Sequence, residues 1–167
     1  MNVTVLIAFL TLASSTSLRA DRPEQVRQNF DRSAFYAVMV SGDLKGLNEE
    51  LAIVGHASIP EKKAYEGALL MRKAGEVKIP ADKLRFFRLG HIKLESALSK
   101  DSTNGEYHFL RLTIQEHAPR IVRYYKDLEV DAQYVRSTFK NLSPVVQHAI
   151  IEYSKSSRTL HPDQFDE

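Results

Sequence analysis

Apolar residues recur every three or four positions through most of the chain, which is the spacing of one face of an α-helix. The longest of these rows runs from Ile121 to Leu142 with alternating intervals of four and three residues. No stretch alternates apolar and polar residues with the period of two that is typical of a half-buried strand. The pattern therefore predicts an all-α domain of seven or eight helices, stacked as antiparallel hairpins or as an irregular bundle.

Prolines and turn residues predict where the helices begin and end. The first helix is predicted to open at Asp21-Arg22-Pro23-Glu24 and to close at Ser41-Gly42-Asp43. Ser58-Ile59-Pro60-Glu61 has the form of a capping box before the third helix, and Pro80 and Ser143-Pro144 open two later ones. The predicted apolar faces are Val26, Phe30, Ala34, Ala37 and Val38; Leu44, Leu47, Leu51 and Val54; Ala64, Tyr65, Ala68, Leu69, Met71 and Ala74; Leu84, Phe87, His91, Leu94 and Leu98; Tyr107, Leu110 and Ile114; and Val145, Val146, Ala149, Ile150 and Tyr153.

The row from Ile121 to Leu142 has two interpretations. It forms either one long amphipathic helix or two helices in line, with a break capped by Asp127. Residues 155–167 (KSSRTLHPDQFDE) predict a flexible C-terminal tail. A single helical domain is therefore predicted over residues 21–154.

The first twenty residues predict a signal peptide. Residues 3–13 are uncharged and mostly apolar, too short for the roughly 20 residues of a membrane span but typical of a signal-peptide core. Cleavage is predicted near Ser15, Ser17 or Ala20. The alternative is that this run is a buried N-terminal strand or core helix. Export implies a periplasmic or extracellular location, with no stable membrane span after cleavage.

Composition and charge narrow the class of protein. The 167 residues are 43% hydrophobic and 26% charged, which excludes collagen-like, disordered and multi-span membrane classes. The formal net charge of +2 falls to +1 if cleavage removes Arg19. Acidic and basic residues are interspersed along the chain, which argues against a nucleic-acid partner and against a membrane-surface domain. The absence of cysteine excludes disulfides and a lipid-acceptor cysteine. The oligomeric state stays open.

One short segment resembles a tetratricopeptide (TPR) repeat. Within residues 90–104, Gly90, Leu94, Ala97, Leu98 and Asp101 resemble the second-helix half of that repeat, where small and large residues precede an acidic residue and a turn. Ser102 stands where the family has proline, and Pro80 falls inside the expected first helix. The resemblance implies a TPR-like hairpin without a tandem array. The alternative is that any antiparallel helix pair ending in a turn shows this spacing.

A broader resemblance covers most of the chain after residue 20. It is carried by the runs EKKAYEGALLMRK (61–73), EYHFLRLTIQEHAP (106–119) and FKNLSPVVQHAIIEY (139–153). These resemble an uncharacterised family of small exported helical proteins of Gram-negative bacteria. The resemblance implies a setting in the bacterial envelope and supplies no activity.

Two His–Glu pairs are candidate metal ligands. His91 with Glu95, and His148 with Glu152, each place an imidazole and a carboxylate one helical turn apart, from which a two-helix zinc site can be built. The chain contains no H-E-x-x-H, H-x-x-x-H or E-x-x-H motif. It also has no G-x-S-x-G motif and no glycine-rich phosphate loop. We therefore expect no catalytic set, metal or other cofactor.

A row of arginine and tyrosine residues on and after the predicted fifth helix is the candidate binding site. Arginine beside tyrosine is typical of binding hot spots, and such a row fits a groove for a peptide carboxylate or an anionic glycan. The alternative is that Arg111 and Glu116 belong to intramolecular networks that hold the corner at Pro119. The candidate residues are Tyr107, Arg111, Gln115, Arg120, Arg123 and Tyr124.

The sequence thus predicts an exported helical binding or scaffold protein that engages a protein or peptide partner in the cell envelope. It favours a protein that is not an enzyme, because no catalytic motif is present. The alternative is an unrecognised or metal-dependent envelope enzyme that uses His91 and His148.

Overall fold

The computed structural model describes residues 29–165, which form seven α-helices and three short 3-10 turns, without a strand among them. The all-α prediction is confirmed. The predicted signal peptide and the first-helix residues up to 28 lie outside the described residues. The helices are α1 Arg32–Ser41, α2 Leu44–His56, α3 Lys62–Glu76, α4 Pro80–Lys100, α5 Gly105–His117, α6 Leu128–Thr138 and α7 Pro144–Ser154.

Helices α3 and α4 pack as an antiparallel hairpin through facing glycines. A Cβ atom on Gly90 would lie 2.5 Å from the carbonyl oxygen of Gly67, and one on Gly67 would lie 2.7 Å from the backbone nitrogen of Leu94. Only glycine allows two helix backbones to approach this closely. The apolar face predicted for α3 is buried as expected, and Pro80 is the first residue of α4.

Helix α5 lies at the centre of the domain, in contact with α3, α4 and α6. Ten of its residues are buried, and these include Glu106, His108, Gln115 and Glu116. Asn104 caps the helix through hydrogen bonds from the backbone amides of residues 106 and 107. Because α5 is covered on nearly every side, most of its charged side chains must find partners inside the protein.

The first helix differs from its prediction. It begins at Arg32, because the Asp31 side chain accepts hydrogen bonds from the amides of the next turn. Phe30 therefore precedes the helix. Ala34 and Ala37 are exposed, while the buried face consists of Phe35 and Tyr36. The aromatic rings displace the alanines from the core because they bury far more apolar surface.

The predicted capping box before α3 is wrong. The residue before the helix is Glu61, and no side chain there makes a capping hydrogen bond. The Glu61 carboxylate instead forms an ion pair with Arg32, 3.0 Å away. The Glu61 side chain thus pairs with a cation of α1 and does not cap α3.

Of the two interpretations of the row from Ile121, the single long helix is wrong. Arg120–Val122 is a 3-10 turn, Arg123 has a left-handed φ of 51°, and α6 begins only at Leu128. The alternative break at Asp127 is closer to the structure, although its side chain makes no capping hydrogen bond. Ile121, placed in the apolar row by its spacing, is 89% exposed. Pro119 and the left-handed Arg123 end helical geometry before α6.

The C-terminal segment packs against the domain as far as residue 165, where a flexible tail was predicted. Leu160 is fully buried, Phe165 is buried, and the ring of Phe165 lies 4.7 Å from that of Phe139. Glu116 accepts hydrogen bonds from the Ser157 hydroxyl and the Arg158 amide. Two apolar anchors and a buried carboxylate therefore hold residues 155–165.

Helix α4 buries only the part of its predicted stripe that faces α3 and α5. Of that stripe, Leu94 and Leu98 are buried together with the neighbouring Gly90 and Ala97, Phe87 and His91 are half-buried, and Leu84 is 45% exposed. Leu89 and Ile92 are also exposed. None of the described helices has the combination of length and hydropathy that a membrane span requires.

Candidate functional site

A pocket of about 270 Å³ lies where the 119–127 loop crosses α4. The ring of Tyr124 meets His91 and Phe87 edge-on, at centroid distances of 5.0 and 5.6 Å. These contacts attach the loop to α4. The pocket is lined by His91 and Glu95 of α4 and by Arg123, Tyr124, Lys126 and Asp127 of the loop.

The loop takes this path because helical geometry is interrupted at both of its ends. Pro119 cannot continue α5, and the left-handed conformation of Arg123 turns the chain after the 3-10 turn. Tyr124 is thereby directed inward and is buried, while Arg123 and Lys126 on either side are exposed. A non-glycine residue in this conformation carries strain of about 1–2 kcal/mol.

An ion-pair network adjoins the pocket through two of its lining residues, Glu95 and Asp127. The Arg111 guanidinium binds the fully buried Asp131 through two hydrogen bonds, of 2.9 Å from Nε to Oδ2 and 2.7 Å from Nη2 to Oδ1. Its Nη1 donates to Glu95 Oε2 at 3.0 Å, and Tyr124 donates its hydroxyl to the other oxygen of Glu95 at 2.6 Å. Arg111 and Tyr124 are thus joined through one carboxylate.

The protonation states within this network follow from its geometry. Burial opposes the charge of Arg111, but the hydrogen bond and the charge of Asp131 outweigh it and raise the pKa of the guanidinium. Burial, and then the hydrogen bond to Glu95, raise the pKa of Tyr124. Arg111 therefore stays charged and the Tyr124 hydroxyl stays a donor at neutral pH.

His108 extends the network on the side away from the pocket, a role that its sequence position does not reveal. Its Nε2 lies 2.9 Å from the backbone oxygen of Ser102, and its Nδ1 lies 2.6 Å from Asp131 Oδ1. A backbone carbonyl only accepts hydrogen bonds, so Nε2 carries a proton. The ring stacks on Tyr134 at 4.0 Å. His108 and Asp131 face each other from α5 and α6, and no local motif indicates a contact between residues 23 apart.

The exposed cations of the pocket stand apart from this network. Arg123 and Lys126 form no ion pair with any residue in the range 29–165. The two acids of the pocket are both engaged, since Glu95 pairs with Arg111 at 3.0 Å and Asp127 approaches the same guanidinium at 3.8 Å. Glu95 and Asp127 share this guanidinium with Asp131, whereas Arg123 and Lys126 have no acid within 4 Å in residues 29–165. A ligand carboxylate placed beside Arg123 and Lys126 would therefore meet two cations, with the imidazole of His91 close by.

The structure divides the predicted binding row into three parts. Arg123 and Tyr124 line the pocket, and Arg111 adjoins it through Glu95. Tyr107 and Gln115 are buried in α5, and Arg120 is exposed on the 3-10 turn outside the pocket lining. The amide of Gln115 has no hydrogen-bond partner among the described residues. Equal spacing along α5 did not produce one surface, because neighbouring elements cover the faces of α5 that carry Tyr107 and Gln115.

The two His–Glu pairs have different surroundings. His91 and Glu95 both line the pocket, but both oxygens of Glu95 already accept hydrogen bonds. His148 and Glu152 are exposed on α7, where Glu152 pairs with Lys155. In the part of the chain that the structure describes, no three His, Asp or Glu side chains converge in a way that suits a metal ion.

Glu116 belongs to an intramolecular network, as the alternative interpretation of the arginine–tyrosine row expected. Its carboxylate accepts hydrogen bonds from Tyr153 at 2.6 Å and from Ser157 at 2.9 Å. Burial would raise the pKa of Glu116, but these hydrogen bonds outweigh it and hold the pKa below its ordinary value. The network joins α5 to α7 and to the C-terminal segment.

Comparisons with protein-family models, with curated proteins and with solved structures find no match to this chain.

Proposed function

We propose that this chain is an exported helical binding or scaffold protein that engages a protein or peptide partner in the cell envelope through the pocket at Tyr124. The observation that carries the proposal is a pair of exposed cations, Arg123 and Lys126, that form no ion pair within residues 29–165 and lie at a concave site with an aromatic wall. A carboxylate of a partner is the complementary group.

The strain at Arg123 supports a role in binding. It is the one non-glycine residue with positive φ among residues 29–165. Backbone strain that the surrounding structure maintains is concentrated at binding and catalytic sites. Here the strained backbone presents a long cation at the mouth of a pocket, while the neighbouring Tyr124 fixes the loop to α4.

The ion-pair network beside the pocket supports the same proposal. The hydrogen bonds from Arg111 and Tyr124 to Glu95 hold α4, α5 and the loop in one arrangement before a ligand arrives. A preorganised site loses less conformational entropy on binding. We propose in addition that α3–α4 is a TPR-like hairpin, because Gly90 of the resembling segment makes the close helix contact that a small residue there allows.

The setting in the envelope is proposed from the apolar run at residues 3–13 and from the family resemblance. Mass spectrometry of the protein isolated from the cells that produce it tests this setting. A mature N-terminus near Ser15, Ser17 or Ala20 is the expected result. An intact chain that retains Met1 in the cytoplasmic fraction would contradict export.

The binding role is tested by mild formaldehyde cross-linking in the producing cells, followed by mass spectrometry of the isolated protein. We expect the wild type to carry a polypeptide partner and the double variant Arg123→Glu/Lys126→Glu to lose it. The matched control is Lys45→Glu/Lys63→Glu, which reverses two exposed cations on α2 and α3. Equal retention of the partner by both double variants would place its binding site elsewhere.

A further inference from the structure

We propose that the partner segment is an acidic, amphipathic stretch of another polypeptide that lies along α4 as well as against the pocket. Its docking site is a surface formed by Leu84, Arg88 and Ile92 of α4 and by Arg123 and Lys126 of the loop, called here the α4–loop surface. The inference rests on the proposed function and deepens it by specifying the chemistry of the partner.

Helix geometry joins the α4 residues to the pocket. Arg88, His91 and Glu95 are spaced by three and four positions, so they follow one another along a single face of α4. Arg88 therefore continues the row that the pocket begins. Leu84 and Ile92 lie one helical turn before and after Arg88, in the same i, i+4 row, so Arg88 belongs both to this row and to the row of the pocket. The loop carrying Arg123 is held beside this row by the Tyr124 contacts.

The α4–loop surface exposes large apolar side chains. Ile92 is 65% exposed, and Leu84 and Arg88 are exposed one after the other along the helix. Exposed apolar side chains next to a polar rim are a feature of protein interaction sites. Apolar residues of a partner segment would bury Leu84 and Ile92 on either side of Arg88.

The charges of this surface favour an acidic partner. Arg88, Arg123 and Lys126 form no ion pair with another described residue. The acids nearby are directed to other cations, since Glu95 and Asp127 share Arg111 with Asp131 and Asp82 pairs with Arg85 at 3.1 Å. Carboxylates spaced along a partner helix or strand could pair with these three cations. Apolar residues between the carboxylates could cover the exposed apolar side chains of α4.

An anionic membrane is a less suitable occupant of the same surface. The carboxylates of Asp82 and Asp127 are partly exposed among the cations. A surface that carries both signs of charge binds an anionic bilayer poorly, because such a bilayer repels the acids while it attracts the cations. A peptide can place its carboxylates opposite the cations alone.

Site-specific photo-cross-linking in the producing cells tests the inference. A benzoylphenylalanine is introduced at Ile92, and in a separate variant at Lys126, and the cross-linked peptides are sequenced by mass spectrometry. The matched control replaces Val40, an apolar residue of α1 that is 80% exposed. We expect Ile92 to yield a segment of another protein with acidic residues within about one helical turn of apolar ones. Val40 should not yield it.

Charge reversal then tests the role of the cations. Arg88→Glu should lower the yield of the Ile92 cross-link by about fivefold or more, whereas Lys63→Glu should leave it unchanged. A cross-link from Ile92 to lipid, to a second copy of this chain, to residues 1–28 or to a segment without acids would overturn the inference, as would no cross-link there. If Lys126 alone still captures a polypeptide, the proposed function stands but the partner does not lie along α4. If neither position captures one, both proposals fail.

Discussion

Arg111 and Asp131 form a two-pronged ion pair between α5 and α6, with Nε 2.9 Å from Oδ2 and Nη2 2.7 Å from Oδ1. The Asp131 side chain is completely inaccessible to solvent, so its charge depends on this partner and on His108. The same guanidinium reaches Glu95, through which it contacts the hydroxyl of Tyr124. Arg111, whose side chain is 11% exposed, thus supports the core and the shape of the pocket together.

Replacement of Arg111 should destabilise the protein strongly. Arg111→Met leaves a buried carboxylate without its cation, and we expect a loss of about 3–5 kcal/mol in the free energy of unfolding. Urea denaturation measures the loss. The double variant Arg111→Met/Asp131→Leu should lose less than the sum of the two single losses, because neither charge is then stranded. Arg136→Met, which removes an arginine from the pair with the exposed Glu129, should cost about 1 kcal/mol or less. Simple additivity at Arg111 and Asp131 would contradict the coupling.

The close approach of α3 and α4 makes a prediction about Gly90. Alanine favours a helix by about 1 kcal/mol over glycine, yet Gly90→Ala should lower the free energy of unfolding by about 1–3 kcal/mol. The new Cβ would meet the Gly67 carbonyl oxygen and Met71 at 2.5 Å. Gly75→Ala is the control, since its Cβ would have only Arg72 near it, at 3.8 Å, and the variant should gain stability. A stabilised Gly90→Ala protein would show that the hairpin packs less closely.

Two substitutions of Arg123 separate the effect of backbone strain from the effect of the side-chain charge. Arg123→Gly and Arg123→Ala remove the same cation, but only glycine accepts a φ of 51° without strain. We expect the glycine variant to be more stable than the alanine variant by about 1 kcal/mol in thermal or urea unfolding. Both should lose the cross-linked partner to the same extent. A glycine variant that retains the partner would show that the side chain is not the binding group.

The buried carboxyl group of Glu50 should make the stability of the protein depend on pH. It is buried, and its Oε1 has no hydrogen-bond partner among the described residues. Burial, and then the charge of Asp31, raise the pKa of Glu50 above its ordinary value of 4.5. The folded state therefore holds this proton more tightly than the unfolded state does. Stability from this group is complete below pH 4.5 and is lost as the pH rises through the raised pKa.

Glu50→Gln removes that loss. Its free energy of unfolding should exceed that of the wild type at pH 7, and the difference should shrink when urea denaturation is repeated at pH 4. Glu49→Gln, on an exposed neighbour that faces Lys45, is the control and should show no such pH-dependent gain. A difference that grows as the pH falls would contradict the assignment to Glu50.

The carboxylate of Glu116 is predicted to protect the C-terminal segment from proteolysis. Glu116→Gln weakens charge-assisted hydrogen bonds from Tyr153, Ser157 and the Arg158 amide, each worth about 1.5–3 kcal/mol. Trypsin at neutral pH should then cleave after Arg158 well before the rest of the domain. Glu129→Gln on the surface of α6 should leave the cleavage pattern of the wild type unchanged. Equal resistance in both variants would show that Leu160 and Phe165 hold the segment alone.

Local patterns were sufficient to predict most of the helices. Leu47 and Val54 in α2, the six apolar residues of α3 and the proline starts of α4 and α7 follow from spacing and backbone chemistry. The same spacing failed at Ile121, because Pro119 and Arg123 interrupt the helix there. The same spacing also predicted that Ala34 and Ala37 are buried, whereas the neighbouring Phe35 and Tyr36 form the buried face of α1.

Sequence patterns named several residues of the candidate site but did not show that they lie together. The sequence named Arg123, Tyr124, His91 and Glu95, but it placed them in two separate hypotheses, one for binding and one for a metal. The structure brings them into one pocket through the contact of Tyr124 with His91 and Glu95. It also separates Tyr107 and Gln115 from the surface, since α5 is buried on the faces that carry them.

The sequence by itself determined the fold class and most of the helix boundaries, because helix periodicity, proline and glycine act over a few residues. Only the tertiary structure decided which polar residues meet. Arg111 and Asp131 are 20 residues apart, and Tyr124 and Glu95 are 29 apart, so their pairing depends on how α4, α5 and α6 pack. That packing left Arg123 and Lys126 exposed while it enclosed Arg111, and the physical reason is that a buried charge must have a partner within the protein, whereas an exposed charge does not need one.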